Sequence, residues 1–469
     1  METKLTKIIA TLSDKRSSVE FIQLLFDAGM DAVRVNTAHQ SPETLREMVG
    51  RIRTVSNKIP LIVDTKGPEI RTSALGDDIA LNKGDAIRLQ GPGNSGNGVL
   101  CVSYNGIVAS LEPGKIVMID DGDIALVVKH KQTTYLECEA LNEGIIQKRK
   151  SVNLPGVKIE LPSLNERDIE FINLAIELDL EFIAHSFVRN KADVIAIQNI
   201  LDQNNSKIKI IAKIENQQGV DNIDEILPHV YGVMVARGDL AIEIPAERIP
   251  VIQRNIVEKC INNRKIVIVA TQMLHSMISH PRPTRAEVTD IANAVFTGTD
   301  AIMLSGETAY GAYPLESVQI MSRTAMAAEA STDYTENRHI MPHDNEISGF
   351  LAKTSVRAVS RLNAKAIIAD TDTGKTAGYL SAFRGTCPIY MQCYDSRVMR
   401  ELALVYAVYA DFINVETSKK QFIQHTLARL IQKEAILTND LVVVLAGNFG
   451  KKVGPSFVEV STASNLMIP

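Results

Sequence analysis

Short apolar runs rich in β-branched residues recur along the first two thirds of the chain. Ile8-Ile9-Ala10-Thr11-Leu12, Ala32-Val33-Arg34-Val35-Asn36 and Leu61-Ile62-Val63-Asp64 come first. After a long gap follow Phe182 to Ser186, Ile208 to Ile214, Gly232 to Arg237, Ile266 to Thr271 and Ala301 to Ser305. Each run is almost continuously apolar, the pattern of parallel strands buried on both faces. Amphipathic stretches such as Pro250 to Asn263 and Arg285 to Thr297 lie between them. Eight strands alternating with helices predict an α/β fold, a (β/α)8 barrel.

The gap between the third and fourth runs has a different texture. Short alternating stretches (Ala86 to Leu89, Ile116 to Ile119, Ile124 to Val128, Tyr135 to Cys138) are separated by Gly, Asn and Asp turns. This predicts a small all-β domain inserted into a βα loop, on the side where barrel active sites form, so that it can act as a lid. The polar stretch Ser331 to His339 reads as a linker, and a βα pattern restarts with Ala366 to Ala369, Ile389 to Met391 and Leu441 to Leu445. The expected division is a barrel over 1–71 and 154–330, a β lid over 72–153 and a C-terminal α/β domain over 345–469.

Composition narrows the setting. The chain has 469 residues, 45% hydrophobic and 22% charged, an ordinary globular balance. With 50 basic and 55 acidic residues the net charge is −5, so no basic field points to nucleic acid or to a membrane surface. Five cysteines without a C-x-x-C pair suggest neither a disulfide framework nor a zinc site, and fit a reducing compartment. The N-terminus has no signal-like core and no apolar run reaches bilayer length, so a soluble cytoplasmic protein is expected.

The candidate chemistry sits at the strand ends. Asp64, Lys213, Glu215, Asp239, Thr271 and Glu307 fall at or just past the carboxyl end of a run. One such residue is most simply a helix cap; six at the ends of five of the eight runs are not. Glu215 and Asp239 suit Mg²⁺, a hard ion that shares its shell with substrate phosphates. Lys213 lies two residues from Glu215 on one strand and faces the same side, where it can stabilise charge developing on an oxygen. A Lys–Glu ion pair that only packs the barrel mouth is the plainer alternative. Asp64-Thr65-Lys66-Gly67-Pro68-Glu69-Ile70-Arg71 places two cations and two carboxylates in eight residues around a Gly-Pro, a mixture suited to phosphates with their metal ions.

Other matches carry less. Gly91 to Gly96 fits G-x-G-x-x-G but leads into a strand, so a hairpin loop is expected. Gly374-Lys375-Thr376 lacks the first glycine of a P-loop, yet hydroxyls at Thr371, Thr373 and Thr376 ahead of a helix suit a phosphate. Lys148-Arg149-Lys150 ends the insertion, where a basic residue would face the barrel.

Several long segments, in order along the chain, resemble the pyruvate kinase family in its bacterial type. They are Asp64 to Arg71, Val152-Asn153-Leu154-Pro155-Gly156, Ile211 to Asn216, Val235 to Leu240, Ala270 to Leu274, Pro281 to Val288 and Met303 to Ala309. The resemblance implies phosphoryl transfer from phosphoenolpyruvate to ADP, giving pyruvate and ATP, with Mg²⁺ (or Mn²⁺) and often K⁺. It also implies a mobile lid, a regulatory C-terminal domain and a homotetramer.

By position, the resemblance gives Arg34 the transferring phosphoryl group and Lys213 its stabilisation in flight. Glu215 and Asp239 would bind Mg²⁺, and the backbone of Gly238 and Asp239 the substrate carboxylate. Asn36, Asp64 and Thr65 would hold K⁺. Arg71, Asp121 and Lys150, with Asn36 and His39, would meet the nucleotide. Thr271 would help protonate the enolate carbon, with Ser305 and Glu307 in the relay. Thr371, Thr373, Gly374, Lys375 and Thr376 match a loop that binds a sugar-phosphate effector.

Three positions depart from the family pattern. Ala38 stands where a serine hydroxyl ligates K⁺, although the acidic Glu69 of K⁺-dependent members is present, so a weakened K⁺ site is expected. Asp14 replaces a proline beside the nucleotide base, and altered nucleotide affinity or choice is expected. Ala241 adds one methyl group near the carboxylate site. The loop Gly447 to Phe457 also departs from the family's usual ending. Two other readings stay open: a non-catalytic paralogue that binds nucleotide or sugar phosphate, and a metal-dependent barrel lyase acting on an enolate.

Overall fold

The computed structural model describes residues 3–332, 346–414, 419–447 and 454–468, with only the backbone of His39, Lys419 and Lys420. Eight parallel strands close into a barrel: β1 (Lys7–Leu12), β2 (Ala32–Asn36), β3 (Leu61–Asp64), β4 (Phe182–His185), β5 (Lys209–Ile214), β6 (Gly232–Ala236), β7 (Ile266–Ala270) and β8 (Ala301–Leu304). The order around the barrel is β1-β8-β7-β6-β5-β4-β3-β2, closed by β1 on β2. All eight expected runs are strands, within a residue or so at their ends. Their alternation divides the core. Ile8, Ala10 and Leu12 face the surrounding helices, whereas Ile9, Ile62, Phe182 and Ile211 fill the barrel interior. Burial on both faces is why the sequence shows no polar alternation there.

The helices start and stop where their side chains cap them. Thr284 and Glu287 form a capping box on Arg285–Thr297, which ends at Gly298 in the left-handed region. Asn165 and Asp168 do the same for Glu166–Glu177. Among the described residues no helix is long and apolar enough to cross a membrane.

Between β3 and β4 a seven-stranded sheet and a two-stranded one form a separate β unit with its own core around Leu89, Leu126 and Leu136. The chain leaves through Ile70–Arg71 and returns through Ser151–Asn153, and these two segments pair antiparallel. One expectation is corrected here. The loop after Gly91 is not a hairpin, because Ala86–Gln90 and Val99–Cys101 run parallel. Ser95 folds the loop back: its N–H donates to the Leu75 carbonyl, and its hydroxyl accepts from Cys101 N–H. Gly76, at φ 97°, permits this approach, since a Cβ there would lie 1.8 Å from the Ser95 carbonyl oxygen.

The C-terminal unit is a five-stranded sheet in the order β11-β10-β9-β12-β13, from β9 (Ala366–Thr371), β10 (Ile389–Cys393), β11 (Val408–Phe412), β12 (Leu441–Gly447) and β13 (Pro455–Thr462). The sequence pattern passed over β11 and β13, two edge strands that lack the buried apolar run of β12. This unit packs on the amino-terminal end of the barrel, and its core is continuous with the barrel interior. Buried charges seal the joint. Asp300, just before β8, accepts from Arg384 at 2.8 Å and from the N–H groups of Val267 and Tyr406 at 3.0 Å. Glu181, just before β4, accepts from Arg53 at 2.7 Å, Arg400 at 2.5 Å and Leu61 N–H at 2.9 Å. The linker residues 333–345 and most of the Gly447 to Phe457 loop lie outside the described residues.

Candidate active site

The carboxyl ends of β2 to β5 bring the expected charges together. Asn36 and Asp64 are register partners on neighbouring strands. Asp64 is 1% exposed and binds Arg34 at 2.6 Å and Lys213 at 3.1 Å. The Lys213 ammonium also meets Glu215 at 3.0 Å and the Ser186 hydroxyl at 2.7 Å. Its three N–H donors therefore have three oxygen acceptors. The bland Lys–Glu pair accounts for only one of them.

Electrostatics mark this cluster as incomplete. Burial pushes the Asp64 carboxyl up, but Arg34 and Lys213 outweigh it and hold it below the usual carboxylate range. Burial would lower the Lys213 ammonium, but Asp64 and Glu215 hold it above the usual lysine range. Glu215 and Asp239 are both pushed up, mainly by burial. Three carboxylates (Asp64, Glu215, Asp239) thus face two cations (Arg34, Lys213). Among the described residues no group of three or more His, Cys, Asp or Glu side chains is arranged to hold a metal ion. With Lys213 shared between Asp64 and Glu215, the three carboxylates are one positive charge short, and Glu215 with Asp239 fits a divalent cation that takes its other ligands from substrate and water.

The next strands supply hydroxyls and backbone donors. Asp239 lies in the first turn of the short helix Arg237–Glu243. Gly238 N–H donates to Thr271 Oγ1 at 2.7 Å. Thr271 is a β-branched residue at φ 68°, and Gln272 follows at φ 54°, a strained pair of the kind that clusters at functional sites. Glu307, 2% exposed, accepts from Ser305 N–H at 2.7 Å and Leu274 N–H at 3.1 Å, which ties the ends of β7 and β8 together.

Between the lid and the barrel lies a cavity of about 560 Å³. Arg71, Asp121 and Lys150, three of the residues expected at the nucleotide, line it together with Asp239. Arg71 is held by Glu69 at 2.8 Å and Lys150 by Asp120 at 2.8 Å. Asn36 does not line this cavity; its side chain accepts from Ala38 N–H at 3.0 Å. Thr65 is buried and donates to Ala184 O at 3.3 Å. The side chain of His39 lies outside the described residues.

Three residues in these regions were passed over by the sequence reading. Ser186 carries no charge and ends a strand. Phe187 contributes its backbone, with N–H donating to Glu215 Oε2 at 2.7 Å. Glu243 lines the lid cavity and burial pushes it up to about 7. A strand-end position was the only available signal for the first two.

The loop Thr371 to Thr376 stands apart, at the opposite end of the barrel. Thr371 Oγ1 accepts from Gly374 N–H at 2.8 Å, and Gly374, at φ 82°, precedes the helix Lys375–Ala382. Thr373, Gly374 and Lys375 line a second cavity of about 560 Å³ between barrel and C-terminal unit, with Lys207, Lys209 and Arg264.

Fold and site together define a (β/α)8-barrel protein with a charged strand-end centre beneath an inserted β domain. Two family models match it: "Pyruvate kinase, barrel domain" over residues 3–318 and "Pyruvate kinase, alpha/beta domain" over residues 350–460. The pyruvate kinase of Borreliella burgdorferi is 43% identical over 99% of this chain and 98% of its own. That of Clostridium perfringens is 38% identical over 94% of this chain and 96% of its own. The crystal structure of a pyruvate kinase from Cryptosporidium parvum superposes with a TM-score of 0.92 at 36% identity, covering 98% of this chain and 96% of the other. The chain belongs to the pyruvate kinase family.

Proposed function

We propose that this protein transfers the phosphoryl group of phosphoenolpyruvate to ADP. The enol–oxygen-to-phosphorus bond breaks, a bond to the terminal phosphate oxygen of ADP forms, and the enolate takes a proton at its methylene carbon to give pyruvate. The observation that carries the reading is Lys213 held between Asp64, Glu215 and Ser186 at the mouth of a pyruvate kinase-family barrel.

Arg34 holds the phosphoryl group and Lys213 neutralises its charge in flight; such transfer needs mainly positioning and charge stabilisation. Gly238 and Asp239 N–H groups receive the substrate carboxylate, which displaces the Gly238–Thr271 bond, and the Thr271 hydroxyl turns its proton from the Ala270 carbonyl toward the enolate. Thr271 then delivers the proton, with Ser305 and Glu307 behind it. Arg71, Asp121 and Lys150 position the nucleotide phosphates. Glu215 and Asp239 would hold Mg²⁺ or Mn²⁺, which when bound supplies charge neutralisation to the phosphate oxygens. Asn36, Asp64 and Thr65 would hold K⁺, in a site weakened by Ala38.

We divide the chain into a barrel of 1–71 and 154–330, a lid of 72–153 and a regulatory domain of 345–469. The loop Thr371 to Thr376 is read as a sugar-phosphate site, and the assembly as a cytoplasmic homotetramer. The test is pyruvate formation from phosphoenolpyruvate and ADP with Mg²⁺, with and without K⁺. Turnover that requires Mg²⁺ and rises only at high K⁺ is expected. Folded protein that makes no pyruvate under either condition, sugar phosphates included, overturns the reading.

A further inference from the structure

We infer that Ser186 is a positioning residue for phosphoryl transfer, acting through Lys213. The assignment deepens the proposed function and rests on the reading of Lys213 as the group that meets the phosphoryl charge.

The hydrogen-bond directions are forced by chemistry. An ammonium can only donate, so the Ser186 hydroxyl accepts from Lys213 Nζ at 2.7 Å. Its single proton then goes outward, to the Thr65 carbonyl at 2.7 Å or the Asp64 carboxylate at 3.1 Å. Ser186 N–H donates to Thr65 Oγ1 at 3.0 Å. One uncharged, 3% exposed side chain thus joins β3 to β5 across the end of β4.

The surroundings fix that hydroxyl. Gly67, at φ 73°, lies so close that a Cβ there would sit 2.9 Å from Ser186 Cβ. Asp168 holds the same turn by accepting from Lys66 N–H at 2.8 Å and Gly67 N–H at 3.2 Å. On the other side Phe187, at φ 54°, turns its N–H onto Glu215. Lys213 therefore has two charged acceptors and one neutral acceptor. Without the neutral one, the ammonium is drawn wholly to Asp64 and Glu215. It then sits in a geometry set by the carboxylates and not by the substrate.

The experiment compares Ser186→Ala, Ser186→Cys and Lys213→Met with the wild-type protein. For each, kcat and KM for phosphoenolpyruvate are measured, with Mn²⁺ affinity by electron paramagnetic resonance and the unfolding midpoint. Ser186→Ala is expected to lose between about tenfold and a hundredfold in kcat, the worth of one hydrogen bond to a charged group. Mn²⁺ affinity and the midpoint are expected to stay near wild type. Ser186→Cys keeps the size but accepts weakly, so it is expected to lose kcat as well; it carries the test if the alanine variant does not fold. Wild-type kcat in these variants overturns the assignment. So does a kcat loss that falls together with Mn²⁺ affinity and the midpoint, which would make the serine structural only. Turnover in Lys213→Met would instead overturn the reading of Lys213, and this assignment with it.

Discussion

The two ends of the barrel are both lined with buried charge, and they differ in how that charge is matched. At the joint with the C-terminal unit two carboxylates each have a guanidinium and backbone donors: Asp300 has Arg384, Val267 and Tyr406, and Glu181 has Arg53, Arg400 and Leu61. At the carboxyl end Asp64 and Glu215 share Lys213, Asp239 adds a third carboxylate to two cations, and burial pushes Glu215 and Asp239 toward the neutral form. A saturated cluster is a joint. An unsaturated one, beside a cavity, has capacity left for a ligand. Burial alone does not separate the two; the ratio of cations to carboxylates does.

Substitutions at the two ends should therefore fail in different ways. The largest effect is expected from Lys213→Met, with turnover lower on the order of a thousandfold while Mn²⁺ binding persists, measured by pyruvate formation and by metal titration. Next comes Asp300→Ala, which leaves Arg384 buried without its partner. It should cost at least about 3 kcal/mol in urea denaturation and leave Mn²⁺ affinity unchanged. If Asp300→Ala instead weakens metal binding as strongly as it weakens the fold, the ends are not separate.

A pH effect of similar size arises at the carboxyl end of β4. Burial, with Lys213 and Arg189 adding to it and Asp193 opposing, lowers His185 to about 4. An unfolded histidine titrates near 6.5, so between those values the unfolded chain binds the extra proton. Stability then falls as pH falls, by about 3 kcal/mol over the window. His185→Gln should flatten that part of the curve of denaturation midpoint against pH, and an unchanged curve would remove His185 as its source. Smallest is Arg46→Ala, which breaks the exposed pair with Glu177 and should leave the midpoint where it was.

The barrel was legible because its strands are buried on both faces, which writes each one as an apolar run with a polar residue at its carboxyl end. The edge strands β11 and β13 are partly exposed and wrote no such run. The loop after Gly91 was misread because local glycine chemistry announces a turn without its direction; Ser95 and Gly76 decide that across the lid. At the site, charged residues announced themselves. Ser186 did not, since a serine after a strand is common, and only the three-dimensional meeting with Lys213 and Thr65 distinguishes it.

The entry and exit of the lid are hydrogen-bonded neighbours, with Arg71 opposite Ser151 and Ile70 opposite Val152. The inserted segment therefore begins and ends at nearly one point in space and has its own core. Such an insertion imposes almost no spacing demand on its host. It can be lengthened, exchanged or excised and the stumps rejoined by a short turn, with the barrel meeting the same geometry at the seam. That makes the lid a cassette, open to change on a different schedule from the catalytic strands beneath it.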